Sequence, residues 1–546
     1  MNGTAAAPAD AGWRRTFALV ALAALCLAPG TLGRELLPPD EPRFALVGRE
    51  MYEDGDVVVL HRGGQLYTDK PPLLFWGQAL VFAATGGPSE TGARVPPLLA
   101  TLLLVGALHR TARRWCGEPL ATRATLVFTS FSLVLQRGAW VATDALLAAT
   151  VFGAISATDL ARGGKARWEI AAGALAGLAV LAKGPVALVF LAFAGLAGRW
   201  PGHGVFSIRP LLRPRAIAAF LAVALPWPVL LSLRLGATQL ARIVWHQNVE
   251  RYVDSWDNIE PWWYLGPTLL VGMLPWSLAL AALFWPRVRR ALFADPRPRW
   301  IAASALAALL FFSVPACKRG VYLLPLYPLL AVLVAGLAPE ALRRAGARRT
   351  VAGLAGALGA LVAIAGASVA STGWPLPPGI LAIPGVQVAS AVGLALVAGG
   401  LALLGLGAIT GSARLFFFAP VSLAAALGLL FPPLLTPALD RIQGARAFAR
   451  VIAPHVAPGV PVGLTKTRWE VVAWYAGLRG PVLMKPSEVR AFLSGPNDRV
   501  VVGALDEFGP PGSWPAGTRL VHRLRMGRDE MGVLHYRPVD TRAPGA

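Results

Sequence analysis

Asp40 and Glu41 stand side by side, and that adjacency decides what the two carboxylates can do together. Neighbouring side chains diverge, so the pair cannot face each other across one bond as the two carboxylates of glycoside hydrolysis must. A hydrolase is therefore disfavoured. Asp40 taken singly is the foremost candidate for a catalytic carboxylate, with Glu41 and Asp144 as further candidates. It would accept the proton of an attacking hydroxyl; if the attacking group is already anionic, it would orient that group or stabilise positive charge on the group transferred. The structural alternative is that Asp40 caps a helix beginning near Pro42.

Cations form the second chemical set. Lys70, Arg251 and Lys318 lie outside the segments where membrane topology accounts for positive charge, and Tyr322 follows Lys318 closely. An arginine offers phosphate a two-pronged fork, a lysine a point charge, and a tyrosine one further donor. A lone cation near a span end also serves as an anchor for lipid headgroups, but several together favour a shared ligand. Lys183 sits between two apolar runs, where an unpaired charge is costly, and Asp144 is its expected partner. His246, five residues before Arg251, reads as a hydrogen-bonding or acceptor-site residue, since no His/Cys cluster accompanies it. Cys26, Cys116 and Cys317 show neither a disulfide framework nor zinc-type spacing. Trp256, Trp262, Trp263 and Tyr264 would stack on a sugar or prenyl unit, or form the aromatic belt common at membrane interfaces.

The elements that must position these groups are membrane spans. Of the 546 residues, 55% are hydrophobic and only 15% charged. The apolar residues gather in Ala/Leu/Val-rich runs close to the ~20 residues that cross a bilayer. Runs near 16–33, 92–112, 119–136, 140–160, 168–182, 184–200, 214–234, 263–285, 300–316, 320–338, 351–371, 386–410 and 415–434 predict an α-helical polytopic membrane protein of about thirteen spans. Arg14 and Arg15 before the first run, with Leu25 too bulky for lipoprotein processing at Cys26, predict an uncleaved signal anchor.

The formal charge of +22 would suggest a nucleic-acid partner in a soluble chain. Here the basic residues fall in alternate breaks between runs, among them Arg110/Arg113/Arg114, Arg287/Arg289/Arg290 and Arg343/Arg344/Arg348/Arg349. The positive-inside rule makes those breaks cytoplasmic and no nucleic-acid partner is expected. The expected division is a cytoplasmic N-terminus over 1–15, a membrane domain over 16–436 and an outward C-terminal domain over 437–546. The membrane domain includes large outward loops at 34–94 and 235–262. In the first loop an amphipathic helix from Glu41 to Asp54 would lay Phe44, Leu46, Val47 and Met51 on the membrane, with Arg43 and Arg49 toward water. A second apolar segment, Pro71 to Thr85, would lie along the interface. The C-terminal stretch predicts a small α/β domain, with strands at Val460–Leu464, Val482–Met484 and Arg499–Val502 and helices at Arg441–Ala453, Arg468–Ala476 and Pro486–Leu493.

Within this frame a family resemblance becomes specific. The segment RELLPPDEPRFALVGREMYEDGD carries the Asp40–Glu41 pair, and a Tyr-x-x-Lys-Pro element follows at Tyr67 to Pro71. TDA at Thr143–Ala145, LAKGP at Leu181–Pro185, HQNVERY at His246–Tyr252, WWYLGPTLLVGMLPW at Trp262–Trp276 and FFSVPACKRGVYLLPLYPLLA at Phe311–Ala331 come next in order. Together they resemble the aminoarabinose-transferase and protein O-mannosyltransferase superfamily over residues 34 to 331. The resemblance implies a polyprenyl-phosphate-dependent glycosyltransferase of GT-C fold, with Lys70, Arg251 and Tyr322 matching the phosphate-binding set. Implied partners are a polyprenyl-phosphate sugar donor, membrane lipids and a lipid A-like, protein or glycan acceptor on the periplasmic face of a bacterial inner membrane. Asp69 stands where the aminoarabinose transferases have a glutamate linked to a metal. Its side chain is shorter by a methylene, so a divalent metal is admissible but no ligand is carried over, and no other cofactor is implied. The competing class is a flippase or transporter, but neither inverted repeats nor paired helix breaks are visible.

Overall fold

The computed structural model describes residues 9–199, 205–246, 250, 258–376, 381, 385–457, 459–527 and 529–538. Among the described residues seven helices are long and apolar enough to cross a membrane, or eight if Leu265–Gly272 and Trp276–Phe284, bent by 116° at their break, form one span. Each apolar run of the sequence holds helix in the structure, but among the described residues the expected count of thirteen spans is not reached by length and apolar character. Val186–Gly198 has 13 residues, roughly 20 Å of helix against a hydrocarbon core of about 30 Å. The run at 119–136 divides into Glu118–Thr129 and Ser132–Arg137, and Pro296–Ser313 carries two arginines in its first turn.

The loop over 34–94, expected to face outward, is built into the protein. Helix Asp40–Asp54 buries Phe44, Leu46, Val47 and Met51 among neighbouring side chains. They do not lie on lipid as the amphipathic reading expected, because helix Leu73–Thr85 and the C-terminal part of the chain cover that face. Gly48 permits the approach of the Leu73–Thr85 helix, since a Cβ there would lie 2.2 Å from the Gln78 amide oxygen.

Glu41 fixes the start of this helix. Its fully buried carboxylate receives two bonds from Arg34 at 2.7 and 3.1 Å, two from Arg94 at 2.8 and 3.0 Å, and the Leu37 amide at 2.9 Å. Arg94 also donates to the carbonyls of Thr31, Arg34 and Glu35, tying the end of the first helix to the platform. A buried carboxylate satisfied on both oxygens by two guanidinium forks is a structural knot.

The last part of the chain forms a five-stranded sheet, ordered β4-β3-β5-β7-β6. Strands β3 (Val462–Thr465), β4 (Val482–Leu483) and β5 (Arg499–Ala504) pair in parallel, while β7 (Asp529–Tyr536) pairs antiparallel with β5 and with β6 (Thr518–Met526). In the loop over 34–94 a small hairpin joins β1 (His61–Arg62) and β2 (Gln65–Leu66). The two regions are bolted together by polar contacts. Glu35 accepts the amides of Ala445 and Arg446 at 3.1 and 2.8 Å, the Tyr475 hydroxyl accepts the Leu36 amide at 2.7 Å, and Arg479 pairs with Glu53 and Asp54 at 2.7 and 2.6 Å.

Glu41→Ala strands two buried guanidinium groups and is expected to lower stability by ~3–5 kcal/mol. Thermal unfolding of the purified protein in detergent checks this, and a midpoint equal to wild type would contradict the knot.

Candidate active site

Element ends converge on one polar cavity of about 440 Å³. Asp40 opens helix Asp40–Asp54 and Asp144 opens helix Asp144–Ala161, while Lys183 closes helix Ala166–Lys183. Arg319 and Tyr322 come from the turn at Gly320–Leu326, Arg62 from β1, Asp69 and Lys70 from the loop before Leu73–Thr85, and His246 from the end of Ala237–Trp245. All nine of these residues line this one space.

Asp40 is held by arginines. Arg43 donates to its Oδ1 at 2.8 Å, Arg319 donates to Oδ1 at 3.3 Å and also to Oδ2, and the Arg137 guanidinium lies 4.0 Å from Oδ2. Burial pushes the Asp40 carboxyl up, but the Arg319 hydrogen bond and the charges of Arg319, Arg43 and Arg137 outweigh it and hold the carboxyl below its usual range. Asp40 is therefore ionised and makes no capping hydrogen bond of its own helix, whose N-cap is Pro39. The capping alternative fails for that reason.

Lys183 pairs with Asp144, and its ammonium lies 4.7 Å from the Tyr322 ring centre. Pairing removes the cost of a lone charge between apolar helices and holds Tyr322 by cation–π attraction. Lys70 Nζ donates to the Asp69 carbonyl at 2.9 Å. A second cavity of about 200 Å³ adjoins the first and shares Asp69, Lys70 and Lys183 with it. Its remaining wall is mainly apolar, with Val180, Leu181, Ala224, Trp227 and Val244.

Of the residues singled out in the sequence, Asp40, Asp69, Lys70, Asp144, Lys183, His246 and Tyr322 meet in the polar cavity. Glu41 does not: it is 0% exposed and saturated by Arg34 and Arg94, so the adjacent carboxylates diverge as their spacing requires. Lys318 also points elsewhere. Its ammonium donates to the Glu260 carbonyl at 2.9 Å and the side chain is buried outside the cavity, where it cannot reach a phosphate held there. Tyr67 packs edge-on against Phe75 at 5.7 Å and lies outside the polar cavity. Arg251 and Trp256 lie outside the described residues. Trp262 and Trp263 are exposed and Tyr264 packs partly against the core.

Sequence reasoning passed over Arg43, Arg62 and Arg319. Arg319 carried a signal, being an outward cation beside Lys318, but only the turn decides which of the two faces the cavity. Among the described residues no three His, Cys, Asp or Glu side chains gather as a metal would need. Asp69 and His246 share the cavity wall, and His246 Nδ1 lies 2.9 Å from Glu250. They do not make a metal site by themselves.

Comparison with known proteins places this geometry. The family model described as dolichyl-phosphate-mannose-protein mannosyltransferase matches residues 69–229. An undecaprenyl phosphate-alpha-4-amino-4-deoxy-L-arabinose arabinosyl transferase of Edwardsiella ictaluri is 29% identical over 392 residues, 67% of each chain. One from Sodalis glossinidius is 32% identical over 327 residues, 56% of each chain. With most of these relatives the similarity spans just over half of their length. The crystal structure of ArnT from Cupriavidus metallidurans bound to undecaprenyl phosphate superposes with a TM-score of 0.77 at 22% identity, covering 98% of this chain and 100% of that one. Its apo form gives the same score at 21% identity, covering 96% and 98%. The chain is similar in sequence to these arabinosyl transferases and shares the fold of that solved structure.

Lys183→Met leaves Asp144 buried without its cation and is expected to cost ~3–5 kcal/mol, while adding Asp144→Asn restores most of the loss. Thermal unfolding of the two variants checks the pairing; equal unfolding of both would contradict it.

Proposed function

We propose that this chain is a membrane glycosyltransferase that moves one sugar from a polyprenyl-phosphate carrier to an envelope acceptor at the outward face of a bacterial inner membrane. The observation that carries the reading is the continuity of a cation-lined polar cavity with an apolar one, with Lys70 and Lys183 at their junction. A polyprenyl-phosphate sugar has that same division: an apolar tail, an anionic phosphate and a polar sugar. The tail takes the apolar cavity, the phosphate the junction and the sugar the polar cavity. The likeness to the arabinosyl transferases supports the same donor class.

The transfer is a single displacement. An acceptor oxygen forms a bond to the anomeric carbon as the bond from that carbon to the phosphate oxygen breaks, and the bonding electrons leave with the phosphate. Configuration at the carbon inverts. The departing phosphate gains negative charge, which is where fixed cations lower the barrier most. Lys70 and Lys183 supply them from the protein's own side chains, Tyr322 adds a donor hydroxyl, and Arg251 belongs to the same set by resemblance.

Asp40 faces the sugar end. Held below the usual carboxylate range by Arg319 and Arg43, it is a weak base. That favours an acceptor whose attacking oxygen is already anionic, such as a phosphate on a lipid A-like glycolipid, with Asp40 set against positive charge on the sugar ring. Arg43, Arg62 and Arg319 on the same wall suit an anionic acceptor. A protein or glycan hydroxyl would instead need Asp40 to take its proton.

Asp40→Asn is expected to reduce transfer from a radiolabelled undecaprenyl-phosphate sugar to membrane acceptors by ~10²-fold or more. Wild-type rates in that variant, or movement of the intact sugar-phospholipid across the membrane without a glycosidic product, would overturn the reading. The pH profile gives a second check. Activity that needs ionised Asp40 is full above its pKa and lost as pH falls through it. Removing Arg319 takes away the largest of the contributions that oppose burial, so the acid limb of Arg319→Met must move to higher pH; an unmoved limb would remove Asp40 from the reaction.

A further inference from the structure

One cation of the polar cavity is held by the C-terminal part of the chain. Arg62 lies in β1, and its guanidinium sits over two rings at once, 5.3 Å from the Tyr67 ring centre and 5.2 Å from that of Trp469. The Glu470 carboxylate lies 3.8 Å from the same guanidinium. Trp469 and Glu470 open helix Trp469–Ala476, more than 400 residues along the chain and packed beside the sheet.

The hairpin that carries Arg62 is pinned from both sides. The Glu50 carboxylate of helix Asp40–Asp54 accepts the amides of Gly63 and Gly64 at 2.6 and 3.0 Å. On the other side the Trp469 ring lies so close to Gly63 that a Cβ there would be 2.7 Å from it. Gly63 also has φ of 65°, the left-handed region that glycine enters without strain. A two-residue-strand hairpin has little rigidity of its own. Its cation is fixed only while both walls are present.

Arg62 lines the polar cavity but not the apolar one. It therefore serves the end of the site away from the carrier tail. Lys70 lies instead at the junction of the two cavities.

We propose that the C-terminal α/β unit is a working part of the cavity: Trp469 and Glu470 are positioning residues that hold Arg62 against the sugar-and-acceptor end of the site. This rests on the glycosyltransferase reading above. Two aromatic rings against one guanidinium restrict its orientation, and the side chain still lines the polar cavity, where it is a fork for an anionic or hydroxyl-rich group. Trp469 is thus coupled to transfer through Arg62 and touches no substrate itself.

Two measurements on the full-length protein in lipid nanodiscs separate this proposal from the reading it rests on. The first is the rate of Arg62 modification by phenylglyoxal, followed by peptide mass spectrometry, which needs no activity. Trp469→Leu keeps an apolar side chain but loses the aromatic face, and should speed modification about fivefold, whereas Trp469→Phe should stay within about twofold of wild type. Glu470→Gln, which hardly alters shape, should speed it about twofold and serves if Trp469→Leu does not fold.

The second is transfer of the sugar from an undecaprenyl-phosphate carrier. Arg62→Ala and Trp469→Leu should each lower turnover about fivefold to tenfold, and the double variant should be no slower than Arg62→Ala alone. Undecaprenyl phosphate binding should stay within about twofold in all three and weaken about tenfold in Lys70→Ala. Unchanged Arg62 reactivity in the Trp469 and Glu470 variants, or losses that multiply in the double variant, would overturn the proposal. Failure of wild-type protein to transfer any sugar would strike the glycosyltransferase reading, and the modification rates would still decide whether Arg62 is clamped.

Discussion

A carboxylate buried between two arginines sets the geometry on which everything outward of the bundle depends. Glu41 is bound by Arg34 and Arg94, and Arg94 rises from the long helix Glu90–Cys116. This joins a membrane helix, the end of the first helix and the start of the platform helix at one point. Because adjacent side chains diverge, anchoring Glu41 inward turns Asp40 toward the cavity. The cost of burying three charges is offset only when every hydrogen-bonding group is used, and here both carboxylate oxygens are. The knot therefore fixes one orientation of the platform helix.

From that orientation the site follows as a gradient of polarity. At one end the arginines around Asp40 make a charged chamber, and at the other Val180, Leu181 and Trp227 make an apolar one. Lys70 and Lys183 stand where the two meet. An amphiphile with a charged group between tail and head fits such a boundary in one direction, which is the physical reason for the donor class proposed. In the proposed transfer the bond to be broken would lie beside these fixed cations, where charge appears as it breaks. The C-terminal unit enters this arrangement through Arg62.

Much of the site was legible because its residues violate local expectation. Lys183 between apolar runs demanded a partner, and Asp144 supplies it. The Asp40–Glu41 pair was legible as two diverging groups, but which one faced inward was not, since that depends on Arg94 some fifty residues away. Arg43 looked like a water-facing residue of an amphipathic helix because the covering helix Leu73–Thr85 and the C-terminal helix cannot be inferred from the platform sequence alone. Choosing between Lys318 and Arg319 requires the turn at Gly320–Leu326, which carries no periodicity. Apolar runs marked the candidate spans, yet length and bends leave seven or eight long and apolar enough to cross a membrane among the described residues. Strands β6 and β7 went unread because β6, at the sheet edge, alternates arginine and histidine with its apolar residues and looks like a loop. β3, β4 and β5 were readable as short β-branched runs.

The central claim is that the carrier's phosphate rests where the polar and apolar cavities meet. A cryo-electron microscopy structure of the protein in nanodiscs with undecaprenyl phosphate tests it most directly. The account predicts phosphate density within hydrogen-bonding reach of Lys70, beside Lys183 and Tyr322, with the first prenyl units between Leu181, Trp227 and Val244. A phosphate bound elsewhere, or a tail leaving by another face with the apolar cavity empty, would contradict it.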